Sequence, residues 1–183
     1  MDLKIIETGS GGDVVLKESR CDLVTIDGLQ NMAYLAMFGG NTESNTPNNR
    51  LSNEQAYDWW GNSALMFNEP GQQFNSETER VLNNTALTSA GREAIFQAVR
   101  SDLLFMKQFC RVAIAVSILT VDTVVLGIRI QEPGTVTQKD YIYIWDATKR
   151  ELEDEYLNNK TFGEGGSVPT EGGFDYVLNF IFI

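Results

Sequence analysis

Cys110-Arg-Val-Ala-Ile-Ala-Val-Ser-Ile-Leu-Thr-Val-Asp-Thr-Val-Val-Leu-Gly-Ile-Arg-Ile-Gln131 decides the fold. Val112, Ile114, Val116 and Ile118 alternate with Ala113, Ala115, Ser117 and Leu119, the period of a β-strand. Val121-Asp-Thr123 turns the chain. Val124, Leu126, Ile128 and Ile130 then alternate against Val125, Gly127 and Arg129 on the return. The pattern predicts a β-hairpin, and the small residues of the Ala113 face suggest that a helix packs closely there.

Immediately upstream, Ile95, Val99, Leu103 and Met106 recur at helical spacing, with Phe96, Leu104, Phe105 and Phe109 widening the stripe. A long amphipathic helix to about Gln108 is expected, capped by Thr88 or Ser89. Downstream, Asp140-Tyr-Ile-Tyr-Ile-Trp145 supplies a third strand. Closer to the start, Leu3–Ile6 and Val14–Leu16 bracket Thr8-Gly-Ser-Gly-Gly-Asp13 as a hairpin, and Asp22–Asp27 reads as another short strand. Gly28–Phe38 is dense enough in apolar residues for a mostly buried helix, with Gly39-Gly40 as a left-handed stop. Ser76-Glu-Thr-Glu79 has capping-box spacing and opens a short helix. The fold class is therefore α+β: a three-stranded antiparallel meander and an N-terminal hairpin, packed against one long helix and one or two short ones.

The chain divides into three regions. Residues 1–146 form the α+β domain, with a polar, Asn-rich loop at 41–53. Residues 147–173 are a charged segment, Lys149–Tyr156, expected as a solvated helix or turn, and a flexible linker, Gly163–Gly173. Residues 174–183 form a C-terminal strand, either folded back as an edge strand or donated to a partner's sheet.

The chain has 183 residues, 43% of them hydrophobic, and a net charge of −11. A surface this acidic disfavours phosphate backbones and anionic lipid, so neither nucleic acid nor membrane is an expected partner. The apolar runs fall short of the roughly 18–20 residues that span a bilayer. Met1–Glu7 lacks the basic and long apolar regions of a signal peptide, which points to a cytoplasmic protein whose Cys21 and Cys110 are reduced thiols. There is no histidine. That removes the commonest general base, the commonest zinc ligand and every Ser-His or Cys-His pair. Gly9–Gly12 lacks the Lys-Ser/Thr ending of a phosphate loop. Glu151, Glu153, Asp154 and Glu155 lack the spacing of a calcium loop. No catalytic residue, cofactor or metal is expected. The alternative places Glu54, Asp58 or Glu69 beside Trp59 and Trp60 as a glycosidase pair with a sugar platform.

The order of features over Leu23–Trp145 resembles the small baseplate proteins of contractile phage tails, the Mu-like baseplate group and the related sheath-initiator (wedge lysozyme-like) family. The resemblance rests on the strand with Asp27, the helix ending Leu35-Ala-Met-Phe-Gly-Gly40, and the polar loop. It continues through Trp59-Trp60-Gly61-Asn62, where the Mu-like group often has Trp-Trp-Gly-Asp, and the Thr85–Phe109 helix that leads into the hairpin. Where the sheath-initiator branch has Glu-Pro-Arg before the hairpin, this chain reads Phe109-Cys110-Arg111 and keeps the arginine alone. The resemblance implies a structural subunit of the virion tail baseplate, assembled in the host cytoplasm in several copies. It would contact wedge subunits, the tail sheath protein and the tail tube, and start sheath polymerisation by strand pairing. Trp59, Trp60, Arg111, Tyr176, Phe180 and Phe182 are the candidate contact residues. The enzymatic alternative becomes a tail-associated peptidoglycan-cleaving protein.

Overall fold

The computed structural model describes residues 2–7, 12–14, 16–17, 22–26, 29–39, 76–149, 151–158, 165–168 and 176–183. The N-terminal strands pair as nested antiparallel ladders. β1 (Asp2–Leu3) lies against β6 (Thr25–Ile26), β2 (Ile5–Glu7) against β3 (Gly12–Val14), and β4 (Leu16–Lys17) against β5 (Asp22–Leu23). The expected hairpin is β2 with β3, and the Asp22 strand returns along the others.

Helix α1 (Gln30–Phe38) buries Ala33, Tyr34, Ala36 and Met37. Its C-cap, Gly39, is not left-handed: it has φ −87°, and its N–H donates to the Leu35 carbonyl at 2.7 Å; Gly40, the other half of the expected stop, lies outside the described residues. Helix α2 (Thr78–Asn84) and helix α3 (Ser89–Leu103) come next. Thr88 caps α3, its hydroxyl oxygen accepting from Gly91 N–H at 3.1 Å, which satisfies one of the free donors at the helix start.

The long helix is shorter than its apolar stripe suggested. After Leu103 the chain tightens into a 3₁₀ helix over Leu104–Gln108. Three residues per turn rotate the side chains of this segment out of phase with those of α3. Met106 remains buried, while Leu104, Phe105 and Phe109 turn outward and are exposed.

The main sheet has five antiparallel strands. Strands β7 (Arg111–Ile118), β8 (Thr123–Gln131) and β9 (Gln138–Asp146) form the expected meander. Pro133-Gly134 joins β8 to β9; Gly134 sits at φ +77°, the left-handed value that a turn of this kind reserves for glycine. Strand β10 (Glu151–Asn158) replaces the solvated helix or turn expected for the charged segment. It pairs with β9 along its length, with a register shift between Leu152 and Asp154. The charge run had masked a strand, because backbone pairing to a waiting edge outweighs weak local propensity.

Within the expected glycine-rich linker, Gly165–Val168 is a strand. Strand β11 (Gly165–Val168) pairs with β12 (Tyr176–Asn179). The last strand, β13 (Ile181–Phe182), runs antiparallel to β7, with Ile181 opposite Ile114 and Phe182 opposite Ala113. The strand order of the main sheet is therefore β10-β9-β8-β7-β13. The C-terminal strand is two pieces broken at Phe180, and the second piece is paired within its own chain.

The sheet has two dissimilar faces. Val112, Ile114, Val124, Leu126, Ile128, Ile130, Tyr141, Tyr143 and Trp145 meet the helices in the principal core. Each such side chain contributes about 1.5–3 kcal/mol by leaving water. Tyr34 and Phe38 of α1 add ring contacts to Tyr143, and Phe38 stacks on Trp145 at 6.3 Å. The helices therefore cover the large-residue face, not the Ala113 face. Ala115, Val125 and Ile142 line the opposite face and are covered by Leu178, with Phe180 packed alongside.

Candidate interaction surface

Strand β7 carries the site. Ile183 N–H donates to the Val112 carbonyl at 3.1 Å on the outer side. Antiparallel ladders alternate, so the even-numbered residues of β7 turn their N–H and C=O groups away from β8. Val112 and Ile114 meet the C-terminal strand there. Val116 and Ile118 lie beyond it and have no ladder partner on that side among the described residues. Beside them is a notch of about 160 Å³, lined by Arg92, Phe96, Val116, Ser117, Leu178 and Ile181 among others. A sheet edge that no neighbouring strand covers is a template for another strand.

The paired end of this edge is apolar and cationic. Ile181 and Phe182 are 56% and 54% exposed. Arg111, at the start of β7, holds its guanidinium 5.2 Å from the centre of the Phe182 ring, a cation–π contact at a solvated site. Of the six predicted contact residues, Arg111 and Phe182 are thus brought together. Phe180 is half-buried one position before the strand, with its ring 4.1 Å from the Arg129 guanidinium. Tyr176 lies on β12, paired with Val168. Trp59 and Trp60 lie outside the described residues, as do Glu54, Asp58 and Glu69 of the glycosidase alternative, Cys21 and the 41–53 loop.

Beneath Phe180 is a feature that sequence reasoning missed. Arg129 Nε and Nη2 donate to the two oxygens of Asp140 at 2.7 and 2.8 Å. The side chains are only 7% and 3% exposed. The bidentate geometry satisfies both charges where water is excluded. A lone cation in an apolar strand and an acid opening the next were the available signals. Pairing them needed the register, which places Arg129 opposite Asp140. Gly127 completes this surface. A Cβ there would stand 2.9 Å from Leu178 Cδ1 and 3.1 Å from Phe180 Cζ, so a larger residue would push the tips of these two side chains away from the sheet.

A second missed residue is Asp102 of α3. Its carboxylate accepts from Glu77 N–H at 3.0 Å, from Thr78 N–H and Thr78 Oγ1 at 2.7 Å each, and from Ser76 Oγ at 3.3 Å. The expected capping box is weak by comparison, with Glu79 N–H 3.4 Å from Ser76 Oγ. The start of α2 is capped from another helix. Burial pushes the Asp102 carboxyl above its usual range, and these hydrogen bonds pull the other way. The single Ser76 hydroxyl proton is shared between Asp102 and the nearer Met37 carbonyl, so this cluster ties together α1, α2 and α3. Its polar groups are engaged with one another, which marks a structural clamp rather than a reactive acid.

Cys110 is buried, and its thiol donates to the Met106 carbonyl at 3.4 Å. Burial and then the nearby Glu132 charge raise its pKa; a thiol kept protonated is a poor nucleophile. Among the described residues no group of three His, Cys, Asp or Glu side chains is placed to hold a metal ion. No described helix is long and apolar enough to cross a membrane. Set against protein-family models, curated proteins and solved structures, the chain finds no match in any of the three comparisons.

Proposed function

We propose that this chain is a structural subunit of a contractile phage tail baseplate, a sheath initiator that works by presenting surface and strand edge to its neighbours. One observation carries the reading. Among the described residues, the outer edge of β7 pairs with its own chain only toward its Arg111 end, where exposed Ile181 and Phe182 lie beside Arg111, and Val116 and Ile118 extend beyond that pairing. A strand edge continuing past an apolar, cationic patch suits docking of an extended segment. The resemblance over Leu23–Trp145 supplies the setting: wedge subunits and sheath protein as partners, with no small substrate.

The test is assembly. The purified chain, mixed with the sheath and wedge proteins of a contractile tail from the same source, is expected to co-migrate with one of them in sedimentation. Arg111→Ala combined with Phe182→Ala should weaken that complex. Absence of any complex, or peptidoglycan turnover that is lost in Glu69→Gln, would overturn the reading in favour of another partner or the lysozyme-like alternative.

A further inference from the structure

We infer that Phe180–Ile183 is a detachable strap that controls how much of the β7 edge is open, an inference that rests on the reading of that edge as a contact surface; Leu178, 1% exposed and paired within the β11–β12 ladder, is its fixed anchor. Its hold on the sheet is short. The ladder to β7 consists of Ile181 and Phe182, extended by the Ile183 N–H bond to Val112. At Phe180 the register breaks, and β12 leaves the edge to pair with β11. Leu178 and Phe180 then lie over the small-residue face, seated on Gly127 and on the Arg129–Asp140 pair.

The sheet beneath does not need the strap for its pairing. β7 and β8 are joined in unbroken register from Arg111–Gln131 to Ile118–Val124, and β8 and β9 from Thr123–Asp146 to Gln131–Gln138. A segment held by few backbone bonds opens at lower free energy than the ladders it covers. Its release adds the outward groups of Val112 and Ile114 to those of Val116 and Ile118. The whole of β7 becomes one continuous acceptor for an incoming strand. Closed, the strap shields half of that row from unwanted pairing.

Amide hydrogen exchange on the full chain tests this. In the wild type, Ile114, Ile181 and Ile183 should exchange together and ahead of Ala113 and Ala115, whose amides face β8. Phe180→Ala removes the ring over Arg129, and Gly127→Val presses on Leu178 and Phe180. Either should speed the first group by about tenfold or more while leaving Ala113 and Ala115 unchanged. Ala113→Cys with Phe182→Cys joins residues facing each other across the strap, and its disulfide should slow the first group again. The strap is refuted if Ile114 exchanges only in step with Ala115, or if Phe180→Ala accelerates every sheet amide equally. Both outcomes use the isolated chain, so they leave the baseplate reading to its own assembly test.

Discussion

The two faces of the main sheet are covered by opposite means. The face of Val112, Ile114, Leu126, Ile128 and Tyr143 meets three helices through large apolar side chains. The other face presents Ala113, Ala115 and Gly127 with a buried ion pair, and its cover includes the chain's own C-terminal segment. On the first face, stability comes from area removed from water and is spread over many contacts. On the second, small residues leave a bed into which Leu178 packs on Gly127 and over which the Phe180 ring caps the charge pair. The first cover is built to stay. The second is equally buried, with Val125 and Leu178 at 0% and 1% exposure, but among the described residues it rests on a short stretch of chain.

Four perturbations separate these descriptions. The largest effect is expected from Asp140→Ala, which strands the Arg129 charge in a buried site and should cost about 3–5 kcal/mol in urea denaturation. Replacing both partners, Arg129→Met with Asp140→Leu, should restore most of that loss, because the cost lies in the unpaired charge. If the double variant is no better than the single one, the pair matters for more than mutual compensation. On the helix-covered face, Ile95→Ala removes a fully buried side chain between α3 and the sheet and should cost about 2–5 kcal/mol. A loss under about 1 kcal/mol would mean that this core is looser than its burial implies. Thr88→Ala deletes the cap of α3 and should lower stability by about 1 kcal/mol, with Thr88→Gly closer to wild type.

The smallest effects are in pH dependence, where two acids should behave oppositely. Asp102 has a folded-state pKa above its usual 3.8, so the native state holds that proton more tightly than the unfolded chain does. Its contribution is fully present below 3.8 and is lost as pH rises through the raised value. Asp146 accepts from Lys149 N–H and Thr148 N–H at 2.9 and 2.7 Å, and these bonds, led by Lys149, lower its pKa. Its contribution is present above 3.8 and is lost as pH falls through the lowered value. Denaturation midpoints measured from neutral to acid pH should show Asp102→Asn falling behind wild type as pH drops, and Asp146→Asn catching up. Parallel curves for the two variants would refute the assignment.

Much of the scaffold was readable without coordinates. The β7–β8 hairpin, the Asp140 strand, the Gly28–Phe38 helix and the Thr88 cap all arise from period and local chemistry acting over a few residues. The charged strand β10 was not readable, since its identity comes from the free edge of β9. Nor was the outward turn of Phe105 and Phe109, because a switch from α to 3₁₀ winding leaves no mark in hydrophobic spacing. The candidate surface was half legible. Arg111 and the C-terminal aromatics could be named, but neither their mutual contact nor the Arg129–Asp140 pair beneath could be foreseen.

By itself, then, the order of residues determined the α+β class, the apolar face of each strand, and the lack of any histidine-based chemistry. These depend on alternation and composition, which are local properties of the chain. Tertiary structure alone decided which face the helices cover, which acid meets Arg129, and where the last strand stops pairing. Each of those depends on register and crossing geometry between segments far apart in sequence, and no local pattern encodes a distance between them.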